Sequence, residues 1–176
     1  MHTLARTSAT AARDSGGILT HIGRLAARLA GAHDSAGPWL ARIVEPVFNL
    51  AARIWMGKIF LDSGLARVAN WERQPFLFET EYKLGVLPPK LWALVTTGAE
   101  FVLPLLLFVG LFTRLPALGL LVMTAFIHFV VGFANDDYLA PYHYVWMLAF
   151  GYLVIRGGGP LSADGLIARL RSTAAR

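Results

Sequence analysis

Between Leu91 and Phe133 the chain is almost continuously apolar: two long runs flank the turn Thr113-Arg114, and the only ionisable residues are Glu100, Arg114 and His128. Each run approaches the ~20 residues an α-helix needs to cross a bilayer core. So short a turn makes the two helices antiparallel neighbours. Upstream, Val44 to Leu65 is apolar but interrupted by Arg53, Lys58 and Asp62. Its positions Arg53, Gly57, Phe60, Gly64 and Arg67 recur at steps of three and four and share one helix face. Small residues on such a face let another helix approach closely. Downstream, an apolar stretch from Tyr138 stops at Arg156-Gly157-Gly158-Gly159-Pro160, a strong helix terminator. The pattern predicts an all-α, four-transmembrane-helix bundle with spans at about 44–65, 91–112, 115–133 and 138–155.

The connections complete this picture. Residues 66–90 form a long outer-face loop in which Trp71, Phe76, Phe78 and Tyr82 alternate with charge, a composition suited to the headgroup zone. Arginine and lysine number ten in the N-terminal tail, the Arg114 turn and the C-terminal tail, against four at Arg67, Arg73, Lys83 and Lys90. Positive residues stay inside, so both termini are expected in the cytoplasm. In the basic tail of residues 1–43, Ile18, Ile22, Leu25 and Leu29 fall at helical spacing, consistent with an amphipathic surface helix or with a disordered tail. Residues 169–176 form a second basic tail.

Composition narrows the function classes. Of 176 residues, 56% are hydrophobic and only 15% charged, so lipid rather than water is the economical surroundings. The net charge of +5 sits in tails and one turn, without the interleaved basic and aromatic stripe that nucleic acid requires. With no cysteine, the chain holds no disulfide, thiolate metal site or dithiol relay, and any redox centre must come from a cofactor or a partner. No residue set in it reads as a metal site. Asp136-Asp137 reads as a solvated acidic pair at an outer turn.

Several stretches together resemble the DoxX family: the glycine-bearing first span, Phe78-Glu79-Thr80-Glu81-Tyr82 followed by Leu87-Pro88-Pro89, Glu100-Phe101-Val102-Leu103-Pro104, the turn Gly110-Leu111-Phe112-Thr113-Arg114, and the exit Gly159-Pro160-Leu161-Ser162-Ala163-Asp164. The likeness covers roughly residues 44–168. It implies a four-helix protein of the bacterial cytoplasmic (inner) membrane. Relatives in that family include DoxD-type subunits of thiosulfate:quinone oxidoreductase and a mycobacterial member tied to thiol and superoxide defence.

Charge within a bilayer demands a partner, a wet cavity or an escape to the interface. From the span limits, Arg53 and Glu100 both fall near mid-depth and are expected to pair, either as a structural ion pair or as part of a proton relay. Lys58, His128 and His143 fall in an outer layer with Tyr142, Tyr144 and Trp146 nearby. An imidazole that titrates near neutrality and aromatic walls suit a quinone headgroup. Glu100, His128 and His143 are thus the candidate catalytic residues, with Lys58, His128, Tyr142, His143 and Trp146 as candidate ligand contacts. A b-type haem held by His128 and His143 is geometrically thinkable but disfavoured. The leading expectation is a membrane subunit of a quinone-linked or thiol and oxidative-stress redox system, working with soluble or membrane redox proteins. The alternatives are a non-catalytic scaffold that recruits soluble partners, or a small transporter.

Overall fold

The computed structural model describes residues 23–28, 31, 37–82 and 85–175, all of them helix, turn or short connection, with no strand among them. The chain divides into two units, Met1–Glu45 and Pro46–Arg176. In the first, residues 23–28 are helical and exposed, and Leu40–Val44 form a π-helical turn. Of the expected tail stripe only Leu25 is described, and it is exposed; Ile18, Ile22 and Leu29 lie outside the described residues.

The second unit is built on four long helices: α1 (Glu45–Ala69), α3 (Pro89–Val109), α4 (Arg114–Phe126) and α5 (Tyr142–Arg156). A short helix, α2 (Gln74–Thr80), lies between α1 and α3, and α6 (Ala163–Ala174) follows the last long one. The supposed loop of 66–90 is therefore largely helical. α1 continues to Ala69, and Pro75 in the first turn of α2 starts the next helix where its missing N–H is harmless. After Phe126 the helix widens into a π-helical segment, Ile127–Val131, before a last turn at Gly132–Ala134.

The α1 face read from sequence is the packed one, since Arg53, Met56, Gly57, Phe60 and Gly64 are all buried. Against α3, a Cβ at Gly64 would stand 3.1 Å from Glu100 Cβ, so only glycine keeps this approach unstrained. Pro104 strips the Glu100 carbonyl of its helical donor at the same level. Against α5, Phe60 meets Trp146 and Phe150 edge-on at centroid distances of 5.9 and 5.5 Å. α4 and α5 pack extensively against each other. The core joins Ala52, Met56 and Phe60 to Leu107, Ala117, Leu120, Phe150 and Leu153.

Outside this core the helices remain oily, with Leu94, Val102, Leu105, Val109, Val122, Leu148 and Ile155 exposed. Apolar side chains on both faces of a helix suit hydrocarbon surroundings better than water. Two helical stretches, Pro89–Val109 and Arg114–Val131, are long and apolar enough to cross a membrane. The other two fall short for identifiable reasons: α1 carries Arg53, Lys58, Asp62 and Arg67, and α5 has 15 residues, about 22 Å of helix.

One end of the bundle is closed by a polar lock. α3 stops at Gly110, in the left-handed region at φ 70°. Asp164 accepts from the Phe112 N–H (2.8 Å), the Thr113 N–H (2.9 Å) and the Thr113 hydroxyl (2.8 Å), while its own N–H donates to the Gly110 carbonyl at 3.0 Å. Buried Arg53 donates to the Leu107 and Leu161 carbonyls, and Asn49 to the Gly157 carbonyl. Ser162 caps α6 by accepting the Gly165 N–H at 3.0 Å. Alanine at Gly110 would pay the left-handed penalty and put its Cβ 2.5 Å from Ser162 Cβ and against the Arg53 guanidinium. The expected loss is about 2 kcal/mol or more, read as a lowered Tm in detergent; an unchanged Tm would show that the lock yields freely.

Candidate functional site

The antiparallel register of α1 and α3 overturns the expected Arg53–Glu100 pair. Gly64 lies beside Glu100 and Gly57 beside Phe108, so Arg53 is level with the α3 terminus. Glu100 meets Arg67 instead, with Nε 2.9 Å from Oε2, an ion pair at contact distance rather than an aligned hydrogen bond. Ser63 donates its hydroxyl to Oε1 at 3.1 Å. Arg67 lies 14 residues beyond Arg53, about 21 Å along the helix. Ending the first span at Leu65 placed Arg67 in a loop, although it belonged to the same three-and-four series as Arg53 and Gly64.

Arg67 is held from three sides. Besides Glu100, its Nη1 donates to Gln74 Oε1 at 3.2 Å, and its guanidinium carbon stands 5.8 Å from the Phe78 ring centre. Beside it opens a cavity of about 600 Å³, walled by residues of all four long helices and of α2. Most of the wall is apolar. Ser63, Arg67, Tyr82, Thr96, Tyr138 and His143 bring polar groups to it, and Trp92 and Trp146 bring flat aromatic surface. The Trp92 indole N–H is buried without a partner. A mostly apolar chamber with a few convergent polar groups is the usual make-up of a small-molecule site.

The cavity is roofed by aromatics from the α1–α3 and α4–α5 connections. Phe78, Tyr82 and Tyr138 follow one another edge-on at 4.8 and 5.2 Å. The Tyr138 hydroxyl donates to Glu81 at 2.6 Å, tying one connection to the other. Burial, reinforced by this bond to a carboxylate, pushes the Tyr138 phenol above its ordinary range, so it remains a donor.

His128 and His143 do come together. Their Nδ1 atoms lie 3.3 Å apart, and both residues are buried. His128 sits in the π-helical segment after α4, a distortion often found at functional sites. His143 lines the cavity, while His128 stands behind it under Tyr144 and Phe129. Trp146 lines the cavity too; Tyr142 packs on His143 and Trp146 but is over half exposed and outside the wall. Two imidazoles bonded to each other cannot both be axial ligands across one porphyrin, so this arrangement does not fit a haem.

Lys58 leaves the expected layer. One residue past Gly57, it turns about 100° off the packed face. It projects outward to an ion pair with Asp62 at 2.5 Å, both side chains more than half exposed. Asp136 and Asp137 are exposed in the turn before α5, and among the described residues no group of three or more potential metal ligands occurs. Arg67, Ser63, Trp92 and Tyr138 were not singled out as site residues from sequence. For Trp92 the available signal was its alignment with Thr96, Ala99 and Leu103 at helical spacing, leading onto Glu100's side of α3.

The family model described as DoxX matches residues 48–132, from early in α1 to the π-helical segment beyond α4. A Haemophilus influenzae protein described as an uncharacterized protein is 29% identical over 134 residues, covering 70% of this chain and 85% of its own length. No solved structure matches the chain.

Proposed function

The chain belongs to the DoxX family through residues 48–132, and from that premise we propose that it is the membrane subunit of a redox system that exchanges electrons and protons with the quinone pool. In this reading all four long helices cross the inner membrane, both termini are cytoplasmic, and the aromatic roof faces outward. The observation that carries it is the cavity of about 600 Å³ between the helices, where an apolar wall meets Arg67, His143 and Tyr138. The Arg67 and Trp92 N–H groups suit a carbonyl oxygen, the two tryptophans suit a flat ring, and the oily exterior between α3 and α4 suits an isoprenoid tail. With no cysteine in the chain, electron donors and their redox centres belong to partner proteins.

Titrating the protein in lipid nanodiscs with a short-chain ubiquinone analogue tests this. Two of the five tryptophans line the cavity, so fluorescence is expected to quench saturably, at one analogue per chain. Changing both Trp92 and Trp146 to Phe is expected to remove most of the saturable quenching. Linear, unsaturable quenching would contradict a quinone site and favour the scaffold reading, in which α6 recruits partners through exposed Leu166 and Leu170 beside Arg169 and Arg171.

A further inference from the structure

Chemistry in an apolar chamber between helices needs a route for protons, and beside this one stand two imidazoles in contact. A neutral imidazole carries one N–H and one bare nitrogen. The 3.3 Å contact joins Nδ1 to Nδ1, so a hydrogen bond there requires opposite tautomers on the two rings. One ring is Nδ1–H with a bare Nε2; the other is bare at Nδ1 and protonated at Nε2. The pair as a whole therefore offers one acceptor at one end and one donor at the other. Because His143 lines the cavity and its Nδ1 is taken, Nε2 is the nitrogen left for an occupant. His128, with its Nδ1 likewise taken, leads away from the cavity toward Tyr144 and Phe129, both about half exposed. The surrounding shell is aromatic, with Tyr142 and Trp146 on His143 and Phe129 and Tyr144 on His128.

Two features of the backbone make this contact. His143 is the second residue of α5, so the pair lies at the outer end of the bundle, close to the interface. His128 belongs to the π-helical segment, where the extra residue per turn shifts side chains relative to an α-helical register.

We propose that His143 and His128 form a two-imidazole proton wire joining the cavity to the outer surface. It deepens the quinone reading by giving that site its proton path, and it rests on that reading only for the identity of the acid in the cavity. In one passage, the O–H bond of a bound hydroxyl breaks as its proton joins His143 Nε2. The His143 Nδ1–H bond breaks as the His128 Nδ1–H bond forms, and the His128 Nε2 proton leaves for interfacial water. The occupant keeps the electron pair of its O–H bond, and the imidazole pair ends neutral in the opposite tautomers; it resets as each ring takes a proton from water at one nitrogen and releases one to water from the other. His143 is the residue that touches the occupant; His128 acts through it.

Nitrogen-15 NMR of the full chain, labelled at histidine and held in lipid bilayers, tests the wire without any quinone. The expected spectrum shows a through-bond correlation between two imidazole nitrogens, one protonated Nδ1 and one bare, which disappears in His128→Gln. Two Nδ1–H or two bare Nδ1 nitrogens would overturn the proposal. Deuterium from bulk water is then expected to reach the His143 imidazole about tenfold or more slowly in His128→Phe and His128→Gln, with an unchanged backbone spectrum. An equal exchange rate in those variants would overturn the wire, because water would then reach His143 by another path. Quinone analogue binding, measured separately by tryptophan quenching, is expected to survive in His128→Gln. Its absence in the unmodified protein would count against the quinone reading alone.

Discussion

Replacing Arg67 by leucine should lower the stability of the folded protein by about 3–5 kcal/mol, the usual effect of removing one partner from a buried ion pair. Glu100 is 1% exposed and would keep only the Ser63 hydroxyl as a partner. Gln74 would also lose its bond from Nη1. The double variant Arg67→Leu with Glu100→Leu is expected to recover much of the loss, because no uncompensated charge then remains among the helices. Equilibrium unfolding in mixed micelles measures both. A double variant as unstable as the two single losses added together would show that the two side chains act independently.

Asp164→Ala is expected to be nearly as damaging, at about 3 kcal/mol, although Asp164 lies outside the long helices. Its carboxylate receives three hydrogen bonds from Phe112 and Thr113, and bonds to a charged acceptor contribute about 1.5–3 kcal/mol each where water does not replace them. Removing it also leaves Arg53, which is fully buried, without its nearby negative charge. Thr113→Val should lose about a third of that, since both backbone donors keep their acceptor. Burial opposes ionisation of Asp164, but the Thr113 and Phe112 bonds and the Arg53 charge outweigh it and hold the carboxyl below the usual range. A depressed folded value means that the stabilisation is present above the ordinary aspartate pKa and is lost as pH falls through the lower, folded one. Tm should therefore carry the Asp164 contribution undiminished from neutrality down to about pH 4 and lose it below. In Asp164→Asn this acid step should shrink; an unchanged step would place the titrating carboxylate elsewhere.

Sequence periodicity located the long helices because their apolar and small residues repeat at three and four, as in Arg53, Gly57, Phe60 and Gly64. The Gly157 to Pro160 stretch marked a helix end for the same local reason, since left-handed backbone and a missing N–H stop helices wherever they occur; Gly110, where α3 stops, fell inside the expected span 91–112. Which charges meet was not legible, because it depends on register between two helices. Glu100 is level with Gly64 and not with the midpoint of α1, so equal depth in the two helices named the wrong arginine. Lys58 was misplaced by rotation rather than depth, since one residue turns a side chain by about 100° around the helix axis. The Asp164 lock escaped notice as well. Two of its three donors are backbone N–H groups of a turn 51 and 52 residues away, which no side-chain pattern announces. His128 and His143 were brought to one layer by depth counting, but their contact depends on the π-helical segment, and no glycine or proline within it signalled the widening.

Photolabelling with an azido-quinone analogue, followed by mass spectrometry of the labelled peptides, bears most directly on the quinone site. The expected result is label on cavity residues of α1, α3 and α5, around Arg67, Trp92 and His143, competed away by unlabelled analogue and reduced in His143→Gln. Label spread over the outward-facing Leu105, Val109 and Leu148 and insensitive to competition would contradict it, because the quinone would then be dissolved in the surrounding lipid and not bound between the helices.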